Sequence, residues 1–422
     1  MIWSAGSPAA PGAGGGMVRK AELLISTVLR GGVLLSGAII LGGLAYFFLS
    51  KFSTHPLSLS FPHTLPAVFH DLPRGEPLAV IGLGLLVLLA TPVLRVMVSI
   101  VAFALEGDRT YVVITTVVLT ILLFSIIVIG GLLGHGAHPQ VQHSGLPFVG
   151  LVFAGSLFAG FVGSLVGLGG GVFIVPLLTL AFGIPIQAAI GASIVSVIAT
   201  SSGAAAAYVK DRMTNLRVGM FLEIATTLGA VCGALLATVV TGTVLFIVFG
   251  VVLILSVIPL LVHLGEELPQ GVHNDRFSKA LRLASSYPDQ RTHNTVAYEV
   301  TGIPPALGMM YIAGAISGLL GIGSGTFKVL AMDVAMRLPM KVSTTTSNFM
   351  IGVTAAASAG IYFQRGDIHP LTAAPVALGV LCGALAGAAT LPRLSNTLVR
   401  KVFIPVIVLV AAEMLLRGFG VL

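Results

Sequence analysis

The sequence predicts an all-α polytopic membrane protein whose larger part is built from two related halves. Three observations carry this expectation. Charged residues make up 9% of the chain and apolar residues 56%, whereas a soluble domain carries about 25% charge and has only one core to fill. Uncharged stretches such as 31–49, 111–133 and 244–262 recur, and each is long enough at about 1.5 Å per residue to cross a hydrocarbon core. Shifting the chain by 154 residues lays it on itself without a gap from residue 167 onward.

The spans are read as helices because they are rich in Gly and Ser, which let membrane helices approach closely. No run of ten-residue alternating strands suggests a barrel. The net charge of +7 comes from Lys and Arg scattered singly between apolar segments, which suits orientation in a membrane and excludes a basic nucleic-acid face. The two cysteines, Cys232 and Cys382, both lie in apolar segments. They read as packing residues, with neither a disulfide framework nor a multi-cysteine metal site indicated.

Six regions follow along the chain. Residues 1–16 form a flexible leader without the basic start and apolar run of a signal peptide. Residues 17–134 hold three spans as a small membrane domain. Residues 135–145 are a linker in which His135, His138 and His143 lack Cys or carboxylate partners, so no metal site is assigned. Residues 146–263 and 306–422 are the two repeats, joined by a solvated, mixed-charge connector at 264–305.

The 154-residue shift places Gly167 on Gly321, Pro185 on Pro339, Ser193 on Ser347, Thr200 on Thr354 and Tyr208 on Tyr362. Each half reads as a span, a glycine loop, a short apolar segment (172–182 or 326–336) and three longer spans. A segment of about a dozen residues is too short to cross alone and is expected as a half-helix. Half-helix and preceding span together return the chain to one side, so each half crosses an odd number of times and the second copy is inverted. Starting with the N-terminus inside and ending with the C-terminus outside, seventeen Lys and Arg, Arg95 among them, fall on the cytoplasmic side. Lys51, Arg74, Arg365 and Arg417 fall opposite, and Lys328 alone is left inside the membrane.

Glycine turns within a membrane segment expose backbone amides, which is tolerated only where protein or a water-filled cavity satisfies them. A half-helix N-terminus adds free N–H groups and partial positive charge, the makings of an anion site. The residues in that position are Gly167, Gly169, Gly170 and Gly171 in one half, and Gly321, Gly323, Ser324, Gly325 and Thr326 in the other. Ser193, Ser347 and Asn348 at the start of the following spans are candidate donors to an oxyanion, against the alternative that they bond back to helix carbonyls. Lys328 is placed beside the substrate, with an internal pair to Asp333 as the competing reading. Asp333, Glu223 and Glu413 are candidates for a coupling proton, although Glu223 and Glu413 are first read as interfacial anchors near helix ends.

The two motifs, Gly163-Ser-Leu-Val-Gly-Leu-Gly-Gly-Gly171 and Gly318-Leu-Leu-Gly-Ile-Gly-Ser-Gly325, with Pro176, Pro185 and the later Gly-x-x-x-Gly segments, resemble the TauE/SafE family of sulfite and organosulfonate exporters over about residues 146–422. The sequence departs from strict repetition at Leu330, which stands where Pro176 does, and at Lys328, which stands where Ile174 does. The resemblance implies export of a small sulfur-containing anion, such as sulfite or sulfoacetate, across the cytoplasmic membrane of a bacterium-like cell. It does not extend to the N-terminal three-span domain.

Two other function classes compete. An intramembrane enzyme needs paired acid–base or metal-ligating residues at helical spacing, and the spans show none. A membrane scaffold or chaperone would not need duplicated helix breaks, and a passive anion channel would share them. The partners expected are a small anion, membrane lipid and, in an assembly, further copies of the chain. No cofactor is called for.

Overall fold

The computed structural model describes residues 14–51, 65–133, 145–166, 170–261, 271–289, 294–390 and 396–421. Among them, eight helices are long and apolar enough to cross a membrane, and the chain is an all-α polytopic membrane protein. Leu34, Leu41, Ile127, Leu132 and Leu409 stay exposed on its outer surface, the apolar surplus that lipid covers. The leader before residue 14 and all three linker histidines lie outside the described residues.

The N-terminal part comprises α1 (Gly14–Lys51), the short α2 (Leu65–Asp71), α3 (Pro77–Leu105) and α4 (Arg109–Leu123). Helix α4 continues through a π-helical turn (Phe124–Ile129) into α5 (Gly130–Leu133). The first half then has α6 (Leu146–Val166), the short α7 (Gly171–Pro176) with a π turn over Leu177–Ala181, α8 (Ile186–Lys210), α9 (Leu216–Val239) and α10 (Gly242–Leu261). The connector carries α11 (Arg276–Ala280) and two strands, β1 (Ser285–Asp289) and β2 (Asn294–Tyr298). The second half repeats the plan with α12 (Ile303–Leu320), the short α13 (Gly325–Leu330) with a π turn over Ala331–Ala335, α14 (Met340–Gln364), α15 (Pro370–Thr390) and α16 (Asn396–Gly418). The two broken segments, α7 and α13 with their π turns, sit at matching repeat positions. Each is about 16 Å long, the half-helix that the sequence predicts.

Glycines bring the halves together. A Cβ at Gly229 would lie 2.1 Å from the Tyr311 carbonyl oxygen, and one at Gly383 would lie 2.0 Å from that of Leu157. These two contacts are each other's repeat mates. So are Gly314 against the Thr226 carbonyl at 2.1 Å and Gly160 against the Val380 carbonyl at 2.4 Å. Helix α9 of the first half therefore packs backbone to backbone on α12 of the second, and α15 of the second packs on α6 of the first. Such reciprocity is the signature of a two-fold relation between the two copies.

Two pairs of repeat mates also pack directly on one another. In α8 and α14, Gly191 sits against the Asp367 carbonyl at one end and Ser201 against Gly352 further along, so the two run antiparallel. In α10 and α16, Gly250 sits against Leu415 and Gly418 against Ile247, again antiparallel. Helix α14 is buried along almost its whole length. This explains how it carries Ser343, Thr345, Thr346, Ser347, Thr354 and Ser358, all buried: protein, not lipid, surrounds it.

The N-terminal helices pack into this centre. Helices α1 and α3 touch α8, and the π turn after α4 lies on α14. A π turn frees a backbone carbonyl from the helix ladder. Here the Gln364 side-chain amide donates to the Ile126 carbonyl at 2.6 Å, while the Ser125 hydroxyl donates to the Ala357 carbonyl at 2.5 Å. The sequence reading of Arg95 as a cytoplasmic helix-end cation is corrected: helix α3 runs on to Leu105 and Arg95 is fully buried within it. The connector departs from its expected plain solvated loop, because β1 and β2 pair antiparallel with Ser285 opposite Tyr298. It is docked on the starts of α4 and α9, where Tyr111 donates to the Leu281 carbonyl at 2.8 Å and the Asn215 amide donates to that of Leu283 at 2.9 Å.

Candidate functional site

The start of α7 and the glycine loop of the second half converge beneath Ser193. Its hydroxyl lies 2.8 Å from the Gly321 carbonyl of the second loop and 3.2 Å from the Gly171 carbonyl at the start of α7. A Cβ at Gly171 would stand 3.0 Å from the Gly321 carbonyl and 2.6 Å from Val197, so only glycine lets α7 start against the second loop. Ser347 repeats half of this arrangement, donating to the Gly325 carbonyl at 3.2 Å. Left-handed backbone at Gly321 (φ 68°), Gly323 (φ 74°) and Ser324 (φ 47°) turns the chain from α12 into α13. Glycine adopts such geometry freely and serine at a cost. The Ser324 hydroxyl is buried without a hydrogen-bond partner among the described residues.

One turn into α13, Lys328 is fully buried, and its ammonium donates to the Thr354 hydroxyl at 2.5 Å. Thr354 in turn donates to Glu223 Oε1 at 2.7 Å, and Thr227 adds a longer contact to the same oxygen at 3.4 Å. Glu223 Oε2 is buried and unpartnered among the described residues. The repeat supplies an internal control. The mates of Lys328, Thr354 and Glu223 are Ile174, Thr200 and Ala377, all three buried. The symmetry-related place, assembled from Ile174 and Thr200 of the first half and Ala377 of the second, is therefore held without charge, and packing alone does not require Lys328 or Glu223.

The sequence-derived candidates divide accordingly. Gly167 and Gly169 lie outside the described residues. Gly170, Gly171, Gly321, Gly323, Ser324, Gly325, Thr326 and Lys328 form the loop and half-helix starts. Ser193 and Ser347 are engaged with loop carbonyls, so they hold the loops in place. Asn348 bonds back to the Thr344 carbonyl at 3.1 Å, the habit of polar residues inside helices. Two sequence readings are corrected. Glu223 is no interfacial anchor, because it lies eight places from the Asn215 cap of α9 and is 1% exposed. The Lys328–Asp333 pair gives way to Lys328–Thr354–Glu223, since Asp333 is half-buried beside Ser343 on the π turn. Glu413, half-buried on α16, stands apart from this network. What sequence reasoning missed is Arg95. Its guanidinium donates to the Phe349 carbonyl, bonds Ser202 Oγ at 3.2 Å and stacks 5.0 Å over the Phe349 ring. A lone arginine eighteen residues into an otherwise apolar span was the available signal.

Removing the Ser193 hydroxyl leaves two buried carbonyls without it, so Ser193→Ala is expected to cost about 1–3 kcal/mol and to slow flux. Ser196→Ala should be near neutral, because among the described residues Ser196 Oγ donates within its own helix, to the Ser193 carbonyl. Thermal melts of the two variants side by side check this, and equal melting temperatures would refute it.

Comparison with known proteins gives two matches to family models. Residues 151–414 match the one described as Sulfite exporter TauE/SafE, and residues 25–127 match a protein of unknown function, DUF1634. The chain is 27% identical over 264 residues to the probable membrane transporter protein YunE of Bacillus subtilis (strain 168), covering 61% of this chain and 93% of that protein. It is 27% identical over 226 residues to the probable membrane transporter protein YdhB of the same organism, covering 53% and 83% respectively. A probable membrane transporter protein of Xylella fastidiosa (strain 9a5c) is 25% identical over 267 residues, covering 62% and 92%. No solved structure matches.

Proposed function

Because the chain belongs to the sulfite exporter TauE/SafE family and is a membrane transporter, we propose that it is a secondary carrier exporting a small sulfur oxyanion, sulfite or an organosulfonate such as sulfoacetate. The observation that carries this reading is Lys328, a fully buried cation one turn into the half-helix α13, whose glycine loop meets the start of α7 at Ser193. Partial charge from amide dipoles and the full charge of a lysine together offset the water an anion sheds on entering. Glu223, joined to Lys328 through Thr354, is the leading candidate for a coupling proton. An inside-negative potential alone drives a monoanion outward by about 2.3 kcal/mol per 100 mV, so export needs no coupling ion. The test is efflux of labelled sulfite from proteoliposomes, competed by sulfoacetate, thiosulfate and sulfate. Saturable flux with counterflow, slowed when the potential is collapsed, is expected. Flux without saturation would favour a channel, and no flux from folded protein would favour a scaffold.

The orientation proposed is N-terminus inside and C-terminus outside in the cytoplasmic membrane, with the two repeats inverted. The antiparallel packing of mates α8 with α14 and α10 with α16 supports inversion, since two copies of one helix that cross oppositely belong to oppositely oriented halves. In a chain with Cys232 and Cys382 replaced, a cysteine at Asp211 or His273 is expected to be shielded from impermeant thiol reagents in intact cells. One at His369 is expected to react. Labelling of Asp211→Cys and His369→Cys from the same face would sink the inversion.

A further inference from the structure

Arg95 belongs to α3, within the stretch that matches the family of unknown function and outside the 151–414 stretch that matches the exporters. It nevertheless lies in the centre of the exporter part. A Cβ at Gly352 of α14 would stand 2.5 Å from Ser201 Oγ of α8 and 3.4 Å from both terminal guanidinium nitrogens of Arg95. The bare backbone at Gly352 therefore makes room for the arginine at the crossing of the two repeat-mate helices. The carbonyl of Phe349, the hydroxyl of Ser202 and the Phe349 ring fix the guanidinium. Its Nε is buried without a partner among the described residues, as is Glu223 Oε2.

Glu223 Oε1 is joined to Lys328 through the Thr354 hydroxyl, and its charge acts on both Lys328 and Arg95. Two cations against one carboxylate leave a single positive charge in a site enclosed by protein. An unbalanced buried charge is unfavourable, and one monoanion neutralises it where a dianion would overshoot. The planar guanidinium also suits an oxyanion better than an ammonium does, because its N–H groups form a fixed fork.

We propose that the N-terminal helices complete the transport site, Arg95 and Lys328 together holding one singly charged oxyanion with Glu223 as their shared counter-charge. This rests on the transport reading above and narrows its substrate to monoanions such as hydrogen sulfite or a simple alkanesulfonate. It also gives the N-terminal region a task, to supply the second cation of a site that the repeats alone leave with one.

The experiment is equilibrium binding of labelled methanesulfonate and sulfate to the purified full-length protein. Wild type is expected to prefer methanesulfonate. Arg95→Gln, which brings the site to neutrality, should weaken methanesulfonate binding about ten- to a hundredfold. Arg95→Lys should lose less. Glu223→Gln, with two net charges, should shift preference to sulfate. The double variant Arg95→Gln, Glu223→Gln leaves Lys328 as the one charge and should recover methanesulfonate binding, which a purely structural arginine does not predict. Wild-type affinity in a folded Arg95→Gln overturns the proposal while the transport reading stands. A folded double variant that still fails to bind overturns it too, even where Arg95→Gln alone does not fold. Wild type that binds neither anion instead overturns the transport reading itself.

Discussion

Lys328→Ile is expected to fold normally and to lose anion binding and transport. The substitution installs the residue that the first repeat carries at the matching place, Ile174, which is buried in the same fold. It leaves Arg95 and Glu223 as a one-to-one set of opposite charges, so no new buried charge stands alone. Glu223→Ala is expected to behave in the opposite way. It leaves two buried cations without a carboxylate, a loss of the size seen when a buried ion pair is broken, about 3–5 kcal/mol. Combining it with Lys328→Ile, so that the site carries the uncharged Ile and Ala of its symmetry-related counterpart at Ile174 and Ala377, should recover most of that stability but none of the transport. Thermal melts and proteoliposome flux on the same preparations separate the two effects. A transport-competent Lys328→Ile would refute the assignment, and Asp333→Asn should leave binding unchanged because Asp333 is outside the network.

The second large effect is on the fold. Gly383→Val is expected to abolish folded protein, at a cost of about 3 kcal/mol or more. The new side chain would begin 2.0 Å from the Leu157 carbonyl oxygen and 2.7 Å from the Phe161 amide nitrogen, backbone atoms that cannot rotate away. Its repeat mate Gly229 faces the same clash with Tyr311, so Gly229→Val should be comparably damaging. Gly308→Val on α12 is the control, since nothing lies within 4 Å of a Cβ there. The yield of monodisperse protein in detergent and its melting temperature measure the contrast. Equal behaviour of positions 383 and 308 would show that the close helix crossings do not hold the halves together.

Much of this was legible in the chain because it is one-dimensional information. Composition and span length determine that the protein is a bundle of membrane helices, since 9% charge leaves no other solvent for so much apolar surface. The 154-residue offset marks the repeats and both half-helices, because a gapless duplication keeps Gly171 with Gly325 and Ser193 with Ser347 in register. The asymmetry at Lys328 was equally visible, as a charge where the first copy has Ile174. The resemblance to the exporter family rested on the same two glycine motifs.

Which charges meet was settled only in three dimensions. Glu223 looked like an anchor because its place near the start of α9 says nothing of what covers it, and the covering comes from Thr354, more than a hundred residues away. Asp333 looked like the partner of Lys328 because it is close in sequence, yet five residues along a helix do not bring two side chains onto one face, and the ammonium donates to Thr354 instead. Arg95 looked like a helix-end cation because nothing in residues 17–134 announces that α3 is pressed against α8 and α14. Burial and partners of a side chain depend on contacts between distant segments, and periodicity carries no record of those. The sequence by itself determined a duplicated membrane bundle with a lysine in one copy only. The tertiary structure decided that this lysine reaches Glu223 through Thr354, and that an arginine from outside the repeats is buried at the crossing of α8 and α14, because only packing brings residues far apart in the chain within reach of one another.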